Sequence, residues 1–361
     1  MVAKPAPASQ GHFSVVSLPE HWFIACRSDA LRDRPLGVTL QGMPLVLFRG
    51  AGGVPGALED RCPHRNVPLT AGRVRDGSLE CAYHGWRYDA GGACLAVPGL
   101  PAPKARATHA TAYPCLERDG NVWVYSTPGV EPSCLPFRFP HADDPSYVTV
   151  HREFQVRSTL LAALENTLDV PHTAFLHGGW FRTSRKENEI EVVVRRYGDR
   201  CEAEFIGEPR PKGLAGLLLA PGGGVVTHFD RFLLPSIAQV EYRLGSASHL
   251  VVTTAMTPAD QFVTRLFVAA TFRLPLPGWL AAAVLSPIAA RIFKQDARIL
   301  ALQADNVRRF GGERFVSTEI DVLGPQIWRL LKQAERGDTQ ARGATVDEQR
   351  VEHEHRVKMR V

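Results

Sequence analysis

The sequence predicts an α+β protein of two domains, on three observations. Short apolar runs separated by glycine and proline turns fill residues 11–126, as expected of a small all-β domain. Farther along, several strand patterns lie between two helical patterns, as expected of an antiparallel sheet with helices packed on it. The 361 residues, 45% of them hydrophobic, are long for one domain and sufficient to bury the core of two.

The first domain begins after residues 1–10, which are rich in proline and alanine and are predicted to be disordered. Its strand patterns are His21–Cys26, Val38–Leu40, Pro44–Phe48 and Gly120–Ser126. Residues 127–145 contain five prolines and no periodic pattern, so they are predicted to be the linker to the second domain.

The second domain is predicted to occupy residues 146–334. Its first helix spans about Thr159–Val170, and a long helix begins near Pro287, because proline is favoured in a first helical turn. The apolar stretch Leu274–Ala290 is interrupted by prolines, which favours a buried loop over a membrane span. Residues 335–361 are charged and predicted to be loose, with His353 and His355 interpreted as solvated. The strand patterns are Glu189–Arg195, Ala238–Arg243, His249–Ala255 and Thr264–Phe272.

Composition limits the function classes. Forty-two Lys and Arg against 37 Asp and Glu give a net charge of +5, too weak a bias to indicate nucleic acid. The N-terminus lacks the continuous apolar core of a secretory signal, so a cytoplasmic location is expected. Seven scattered cysteines favour free thiols and metal ligands over a disulfide framework.

Two short motifs in the first domain offer metal ligands. Cys62-Pro-His64 and Cys81-Ala-Tyr-His84 together supply two thiolates and two imidazoles. The spacing alone fits structural zinc as well as an iron-sulfur cluster. Both pairs lie at the tips of hairpin-like segments rather than on a helix, and Gly85 suits a tight turn that directs backbone N–H groups at a sulfide. These surroundings favour the cluster.

A second set of ligands lies near residue 170. Asp169 and His172 are three residues apart, about 60° round a helix, so they share a face. His177, five residues beyond His172, does not share that face, and Pro171 weakens any continuing helix. The two imidazoles can converge on one ion only if the backbone widens or ends here.

Asp296 provides a third ligand. In a helical projection it lies in the centre of the apolar stripe of the long helix. An unpaired carboxylate there costs several kcal/mol, so it is expected to bind a cation or, alternatively, an arginine. Two histidines and one carboxylate would form the facial triad typical of non-haem Fe(II), with open positions for O₂ and substrate.

The two sets of motifs resemble the Rieske non-haem iron oxygenases over about residues 12–310. Arg61–Arg65 and Cys81–Trp86 look like the loops of a Rieske [2Fe-2S] domain. The pattern Asn166-x-x-Asp169-x-x-His172-x4-His177, with a distant Asp296, resembles the catalytic domain, which is helix-grip-like in that family.

The resemblance assigns residues to roles. It implies that Cys62 and Cys81 bind one iron of the cluster and that His64 and His84 bind the other. It implies Fe(II) bound by His172, His177 and Asp296. Asp169, with Asn166 beside it as a second catalytic candidate, would connect His172 to His84 of a neighbouring subunit in a homotrimer.

The implied function is that of a terminal oxygenase, with O₂ as cosubstrate. The chain is shorter than typical subunits of aromatic-ring dioxygenases and looks like the α-only branch of the family. Hydroxylation or oxidative demethylation of an apolar ring-containing small molecule is therefore expected rather than dioxygenation. The alternatives are a desaturase or oxidative cyclase on the same scaffold, or a noncatalytic zinc-binding protein.

Electrons must come from a separate protein. The chain has neither Gly-x-Gly-x-x-Gly after a strand nor the Cys-x4-Cys-x2-Cys run of a plant-type ferredoxin. A reductase using NAD(P)H, with or without a ferredoxin, is therefore predicted as a partner. Five arginines near the cluster loops are candidates for docking an acidic donor: Arg61, Arg65, Arg73, Arg75 and Arg87.

Overall fold

The computed structural model describes residues 17–100, 109–177, 189–208, 226–245, 248–275, 277–338 and 350–360. The first domain consists of short strands: β1 (Trp22–Arg27), β2 (Leu36–Leu40), β3 (Met43–Arg49), β4 (Pro55–Glu59), β5 (Arg73–Arg75), β6 (Ser78–Glu80), β7 (Arg87–Tyr88), β8 (Cys94–Ala96), β9 (Ala112–Tyr113), β10 (Cys115–Arg118) and β11 (Asn121–Tyr125).

In its described residues, the second domain combines long strands with four helices. In chain order these are β12 (Val148–Val156), α1 (Leu160–Leu168), α2 (His172–Leu176), β13 (Glu189–Arg196), β14 (Arg200–Ile206), β15 (Val226–Leu233), β16 (Ile237–Leu244), β17 (Ser248–Asp260), β18 (Val263–Arg273), α3 (Gly278–Phe310), α4 (Gly324–Glu335) and β19 (His353–Arg360). The predicted α+β class is confirmed.

The first domain forms three small antiparallel sheets, ordered β1-β11-β10, β2-β3-β4-β9 and β5-β6-β7-β8. The second and third sheets enclose a compact apolar core in which Phe48, Leu58, Leu79 and Tyr88 are fully buried. Cys62 and Cys81 belong to the same core, so the loops that carry them are anchored on its surface.

The second domain is built on one eight-stranded antiparallel sheet, ordered β12-β18-β17-β16-β15-β14-β13-β19. One face of this sheet is covered by helices. α1 packs against β15 to β18 and against α3 and α4, burying Leu160, Leu161, Leu164 and Leu168. Its first turn is capped because the Thr159 side chain accepts a hydrogen bond from the backbone N–H of Ala162.

A shared apolar cluster joins the two domains. Trp22 and Trp123 of the first domain pack with Leu233 and Ile237 of the large sheet. Phe139, from the segment predicted as a linker, is buried in the same cluster. Residues 127–145 contain no helix or strand, yet they help to fix the position of one domain on the other.

The start of the long helix was predicted wrongly. α3 begins at Gly278 and continues through Pro287, so from Gly278 onward the predicted buried loop is helix. Proline within a helix removes one backbone hydrogen bond. The alanine-rich sequence on both sides, Ala281–Ala283 and Ala289–Ala290, has the highest helix propensity and compensates for that loss. In the described part of the chain, no helix has both the length and the apolar character needed to cross a bilayer.

The prediction of a loose C-terminal tail is also wrong for residues 350–360. β19 pairs with β13 along its full length and forms one edge of the large sheet. Alternate residues of β19, His355, Val357 and Met359, lie on one face of the strand, and Met359 is buried in the core. The charged residues between them obscured this period-two pattern in the sequence. Across the strands, three pairs of opposite charge support the register: Arg195 with Glu354, Glu191 with Arg356, and Glu189 with Lys358. Residues 1–10 and 339–349 lie outside the described residues.

The face of the sheet opposite the helices carries a network of charges. Arg231 on β15 contacts Glu202 on β14 and Glu241 on β16. Glu241 also accepts hydrogen bonds from Arg243 at 2.7 Å and from His249 at 2.9 Å. Burial alone would raise the pKa of Glu241, but these cationic and hydrogen-bonding neighbours lower it to about 2.

We predict that Glu241→Gln destabilises the fold at pH 7 by about 2 kcal/mol, because a carboxylate whose pKa falls on folding stabilises the native state once ionised. This contribution is complete above the unfolded pKa near 4.5 and is lost as the pH falls towards 2. Denaturant titrations of both proteins from pH 7 downward should therefore converge. The matched change Glu354→Gln, at an exposed ion pair, should have an effect within about 0.5 kcal/mol. An equal loss at all pH values would contradict the assignment.

Candidate metal centres

Two loops of the first domain present the Cys and His side chains, and they have the same backbone design. The Asn66 N–H donates to the Cys62 carbonyl (2.8 Å), and the Gly85 N–H donates to the Cys81 carbonyl (3.0 Å). Each cysteine N–H in turn bonds a carbonyl five residues ahead. Asn66 and Gly85 both have positive φ, 61° and 69°, which closes each turn and brings the histidine back beside the cysteine.

The four side chains form a site with a buried end and an exposed end. Cys62 and Cys81 are 2% and 3% exposed, whereas His64 is partly exposed and His84 is exposed. The two imidazole rings lie 4.5 Å apart between centroids. A tetrahedral zinc ion needs all four donors around one point. Among the described residues, no three of these four belong to a set of ligand atoms lying within 4.8 Å of one another, so the donors fit a binuclear cluster better.

Hydrogen-bonding groups surround the sulfur atoms of Cys62 and Cys81 at the buried end. Burial raises the pKa of the Cys81 thiol, while hydrogen bonds from the backbone N–H groups of Tyr83 and His84 act in the opposite direction. The Tyr88 hydroxyl lies 3.4 Å from the Cys62 sulfur, and burial raises the pKa of Tyr88, so it remains a donor. At the exposed end, Trp86 stacks on His64 with an interplanar angle of 5°.

The second set of ligands depends on a helix break. α1 ends at Leu168, and Asp169 adopts an extended conformation, with φ −96° and ψ 106°. α2 then starts at His172 and ends before His177, whose φ and ψ are not helical. The prediction that Asp169 and His172 share a face of one helix is therefore wrong. The single turn of α2 places His172 at its start and His177 just after its end, which lets both rings turn towards α3.

Asp296 of α3 meets both histidines. Its Oδ1 lies 3.1 Å from Nε2 of His177 and 3.7 Å from Nε2 of His172. In the described part of the chain, these three residues are the only set of potential ligands whose donor atoms all lie within 4.8 Å of one another. The described ion pairs of Asp296 are with the two imidazoles, so the alternative of an arginine partner is not supported.

Three polar residues surround this triad. Gln295 Oε1 lies 2.9 Å from Nδ1 of His177 and can accept a hydrogen bond from the Nδ1–H group. In that tautomer the lone pair of Nε2 is free to bind a metal ion. The Asn166 side-chain amide donates to Asp296 at 3.5 Å. Asp169 Oδ2 lies 3.3 Å from Nδ1 of His172, within ion-pair range but not aligned for a hydrogen bond.

The electrostatics of the triad favour a bound cation. Burial raises the pKa of Asp296, opposed by the positive charge that His177 and His172 can carry. Burial alone would lower the pKa of His172, but the carboxylates of Asp169 and Asp296 outweigh it and the net shift is upward. A divalent ion would neutralise the same carboxylate without protonating either ring. Two imidazoles and one carboxylate fit Fe(II), as the sequence predicts.

A cavity of about 1230 Å³ opens beside the triad, between α1, α2, the second half of α3 and the start of α4. Asn166, Asp169 and His172 lie on its wall. Its rim carries apolar side chains that are largely exposed, with Phe175 at 91% and Val316 at 92%. These exposed aromatic and aliphatic groups are characteristic of a surface that another protein covers.

Sequence reasoning missed several members of these sites. Trp86 and Tyr88 follow His84 closely, but their contacts with His64 and Cys62 need the folded hairpin. Gln295 is adjacent to Asp296, and that adjacency was the only available signal. On the large sheet, Phe232 belongs to the core and Phe229 lies on the face opposite the helices. Tyr242 and Leu250 lie partly exposed on the helix-covered face, and residues 213–225 are outside the described part.

Comparisons with known proteins agree with this geometry. The chain matches the Rieske [2Fe-2S] domain over residues 21–114 and the Vanillate O-demethylase oxygenase C-terminal domain over residues 156–337. It is 33% identical to the oxygenase component of dicamba O-demethylase from Stenotrophomonas maltophilia over 246 residues, 66% of this chain and 67% of that protein. It is 32% identical to a vanillate O-demethylase oxygenase subunit from Pseudomonas sp. (strain HR199 / DSM 7063) over 188 residues, 49% of this chain and 50% of that protein.

The fold is shared with a solved structure. Dicamba monooxygenase bound to 3,6-dichlorosalicylic acid superimposes with a TM-score of 0.76 and 23% identity, covering 89% of this chain and 98% of that one. The chain belongs to the Rieske non-haem iron oxygenases. Within them it is a terminal oxygenase component, whose cofactors are a [2Fe-2S] cluster and mononuclear non-haem iron. The predicted resemblance is confirmed, and the noncatalytic zinc protein is excluded.

We predict that Tyr88→Phe lowers the reduction potential of the cluster by about 60 mV. A hydroxyl that donates to a ligating sulfur stabilises the reduced, more negative state, and losing about 1.4 kcal/mol corresponds to about 59 mV for one electron. A redox titration followed by the cluster absorption measures the shift. Tyr83→Phe is the matched control, because Tyr83 is exposed and contacts the His84 ring instead. A potential unchanged in Tyr88→Phe would contradict the role assigned to the hydroxyl.

Proposed function

We propose that Cys62 and Cys81 bind the inner iron of the cluster and that His64 and His84 bind the outer one. The support is the arrangement of the loops, with buried thiols at one end and imidazoles reaching the surface at the other. An exposed imidazole end suits electron exchange with another protein, because it shortens the path from the cluster to the surface. The Trp86 ring stacked on His64 holds that imidazole in place.

We further propose that His172, His177 and Asp296 bind Fe(II). The carrying observation is the convergence of their donor atoms, all within 4.8 Å of one another. Gln295 fixes the tautomer of His177 and Asn166 orients Asp296. When bound, this iron supplies the activation of O₂ that the amino acids cannot perform.

The reaction we propose is a monooxygenation, either hydroxylation or oxidative demethylation, of an apolar ring-containing compound. Demethylation of a methyl ether balances as R–O–CH₃ + O₂ + 2 e⁻ + 2 H⁺ → R–OH + HCHO + H₂O. Two relatives are named as O-demethylase oxygenases, and another as a 3-chlorobenzoate-3,4-dioxygenase. On the helix-covered face of the sheet, partly exposed Val240, Tyr242, Leu250 and Val268 offer an apolar surface to such a ring.

A homotrimer would complete the electron path. The His64 and His84 end of one subunit would enter the cavity of the next, where Asp169 lies on the wall beside His172. The apolar rim around Phe175 and Val316 and the exposed Tyr83 beside His84 supply complementary apolar surface. Asp169 would then connect His172 to His84 of the neighbouring subunit, as the family resemblance implies.

Electrons would reach the cluster from a reductase, directly or through a ferredoxin. Arg73, Arg75 and Arg87 are already engaged by carboxylates of their own domain. Arg61 likewise pairs with Glu59 and donates to Asn66. Arg65 has no described carboxylate partner and lies next to His64, so it is the better candidate to dock an acidic donor. None of the seven cysteines forms a disulfide, in keeping with the cytoplasmic location that we propose.

Product analysis tests the proposed reaction. The purified protein is incubated with a generic reductase, NADH, O₂ and a panel of methoxylated and unsubstituted ring compounds, and products are identified by mass. Loss of a methyl group with release of formaldehyde, or gain of one oxygen, supports monooxygenation. Gain of two oxygens would indicate a dioxygenase, and loss of two hydrogens a desaturase or cyclase.

We predict that Asp296→Ala loses the mononuclear iron and at least about 10²-fold of activity while the cluster spectrum is unchanged, because only one of the two centres loses a ligand. Iron content should fall from about three to about two atoms per chain. Asp305→Asn, on the same helix but paired with Arg157, is the control and should keep its iron. Full iron content in Asp296→Ala would remove Asp296 from the ligand set.

We predict that Asp169→Asn retains both metal centres but slows electron transfer between them about 10- to 100-fold. The amide keeps the shape but loses the charge that holds His172. Single-turnover oxidation of the reduced cluster, followed by absorbance after mixing with O₂ and substrate, measures the rate. A normal rate would show that Asp169 is not in the path.

A further inference from the structure

The Glu165 carboxylate is not part of either proposed metal centre. It lies on α1 immediately before Asn166, and both residues line the same cavity wall as Asp169 and His172. Gly324, at the start of α4, packs directly against its carboxylate, so closely that a Cβ at position 324 would collide with it. Glu165 therefore lies in a fixed position between the cavity and the residues that support the iron site.

Three carboxylates lie close enough to Glu165 to act on its charge. Asp169 follows it on the same segment, and Glu313 and Asp321 approach from the chain between α3 and α4. Burial, with the charges of these three carboxylates added to it, raises the pKa of Glu165 to about 7. The cavity wall also carries Asp305 and Arg309 on α3 and Arg314 on the following loop.

Three other carboxylates near Glu165 each have a hydrogen-bond or ion-pair partner close by. Glu313 accepts a hydrogen bond from the Thr159 hydroxyl at 2.9 Å and is buried. Asp321 is exposed and accepts hydrogen bonds from the Thr318 backbone and hydroxyl. Asp305 is half exposed and pairs with Arg157. Of the carboxylates on this wall, Glu165 is the one placed next to the iron-site residues and able to exchange a proton near neutral pH.

The proposed reaction needs such a group. Each turnover consumes two protons with two electrons: R–H + O₂ + 2 e⁻ + 2 H⁺ → R–OH + H₂O. Both protons must come from solvent to a site whose residues are largely buried, with His177 only 2% exposed. A carboxyl group that is neither permanently ionised nor permanently protonated transfers protons most efficiently at neutral pH.

We propose that Glu165 relays protons from the cavity to the iron site, acting through its neighbour Asp169 rather than by contact with the metal. The inference rests on the proposed oxygenase function and adds a positioning residue to it. Glu165 would take a proton from water in the cavity, pass it inward during turnover and be reprotonated from solvent, so that the residue is unchanged after each cycle.

The pH dependence of Glu165→Gln tests the relay. The wild type should lose activity as the pH rises through about 7, where Glu165 ionises. Glu165→Gln should be about 10²-fold slower at pH 6 and should lack this alkaline decline, because glutamine has the shape but no exchangeable acid proton. Glu165→Asp should restore part of the rate. Asp305→Asn, a change to a carboxylate on the same wall, should keep the wild-type pH profile.

Thermal unfolding gives a readout that does not depend on turnover. A carboxylate whose pKa is raised on folding destabilises the native state once it ionises. Relative to Glu165→Gln, wild-type stability should therefore decline as the pH rises from about 4.5 to about 7 and stay level above that, so the two melting temperatures should diverge within this window. Infrared titration should show a protonated carboxyl band that disappears near pH 7 in the wild type and is missing in Glu165→Gln.

The outcomes separate the relay from the oxygenase proposal. A wild-type pH profile and rate in Glu165→Gln would overturn the relay, as would loss of iron in this variant, which would make the residue structural. If the wild type itself forms no product with any compound, the oxygenase proposal fails. Absence of the Glu165 titration from the melting and infrared data would overturn the relay in that case too.

Discussion

The burial of one carboxylate, that of Asp296, is the constraint on which the second domain depends. α3 presents it, largely buried, towards the break between α1 and α2, where an isolated negative charge is costly. Three groups from the α1–α2 segment approach it: Asn166, His172 and His177. The break between α1 and α2 at Asp169 turns the two imidazoles towards Asp296. The break in the helix thus brings two imidazoles to the carboxylate, and a cation bound here, as we propose, would neutralise its charge.

The first domain solves a different problem, which is to hold a cofactor rigidly and still expose one end of it. Its two ligand loops repeat the same hydrogen-bond pattern on a core that includes Phe48 and Tyr88. Rigidity extends to the second domain through the shared cluster of Trp22, Phe139 and Ile237. The orientation of one site relative to the other is consequently set by packing within a single chain, and the His64 and His84 end of the first site remains at the surface.

The sequence predicted those parts of the sites that local patterns encode. The Cys and His spacings are local, and Asp296 was detectable because a charge interrupted an apolar helical stripe. The helix start at Gly278 was missed because proline outweighed alanine in the pattern, although the folded helix tolerates one lost hydrogen bond. β19 was missed because its charges indicated solvent, whereas Glu354, Arg356 and Lys358 form ion pairs with residues of β13. Gln295, Tyr88 and Glu165 acquire their roles only from residues distant in the chain, which no local pattern reports.

Charge balance connects the two centres. Every electron that enters a buried site adds a negative charge where the local dielectric is low, and that charge must be compensated nearby. The triad already holds one carboxylate, and Asp169, Glu165 and Glu313 lie close to one another beside it. Such a site accepts further electrons only if protons follow them. An acid cluster with one member poised near neutrality meets this need better than permanently ionised groups, since it can take up positive charge at the moment that negative charge arrives. The dense packing of acids around α1 is therefore understandable as part of electron transfer, although as static structure it costs stability.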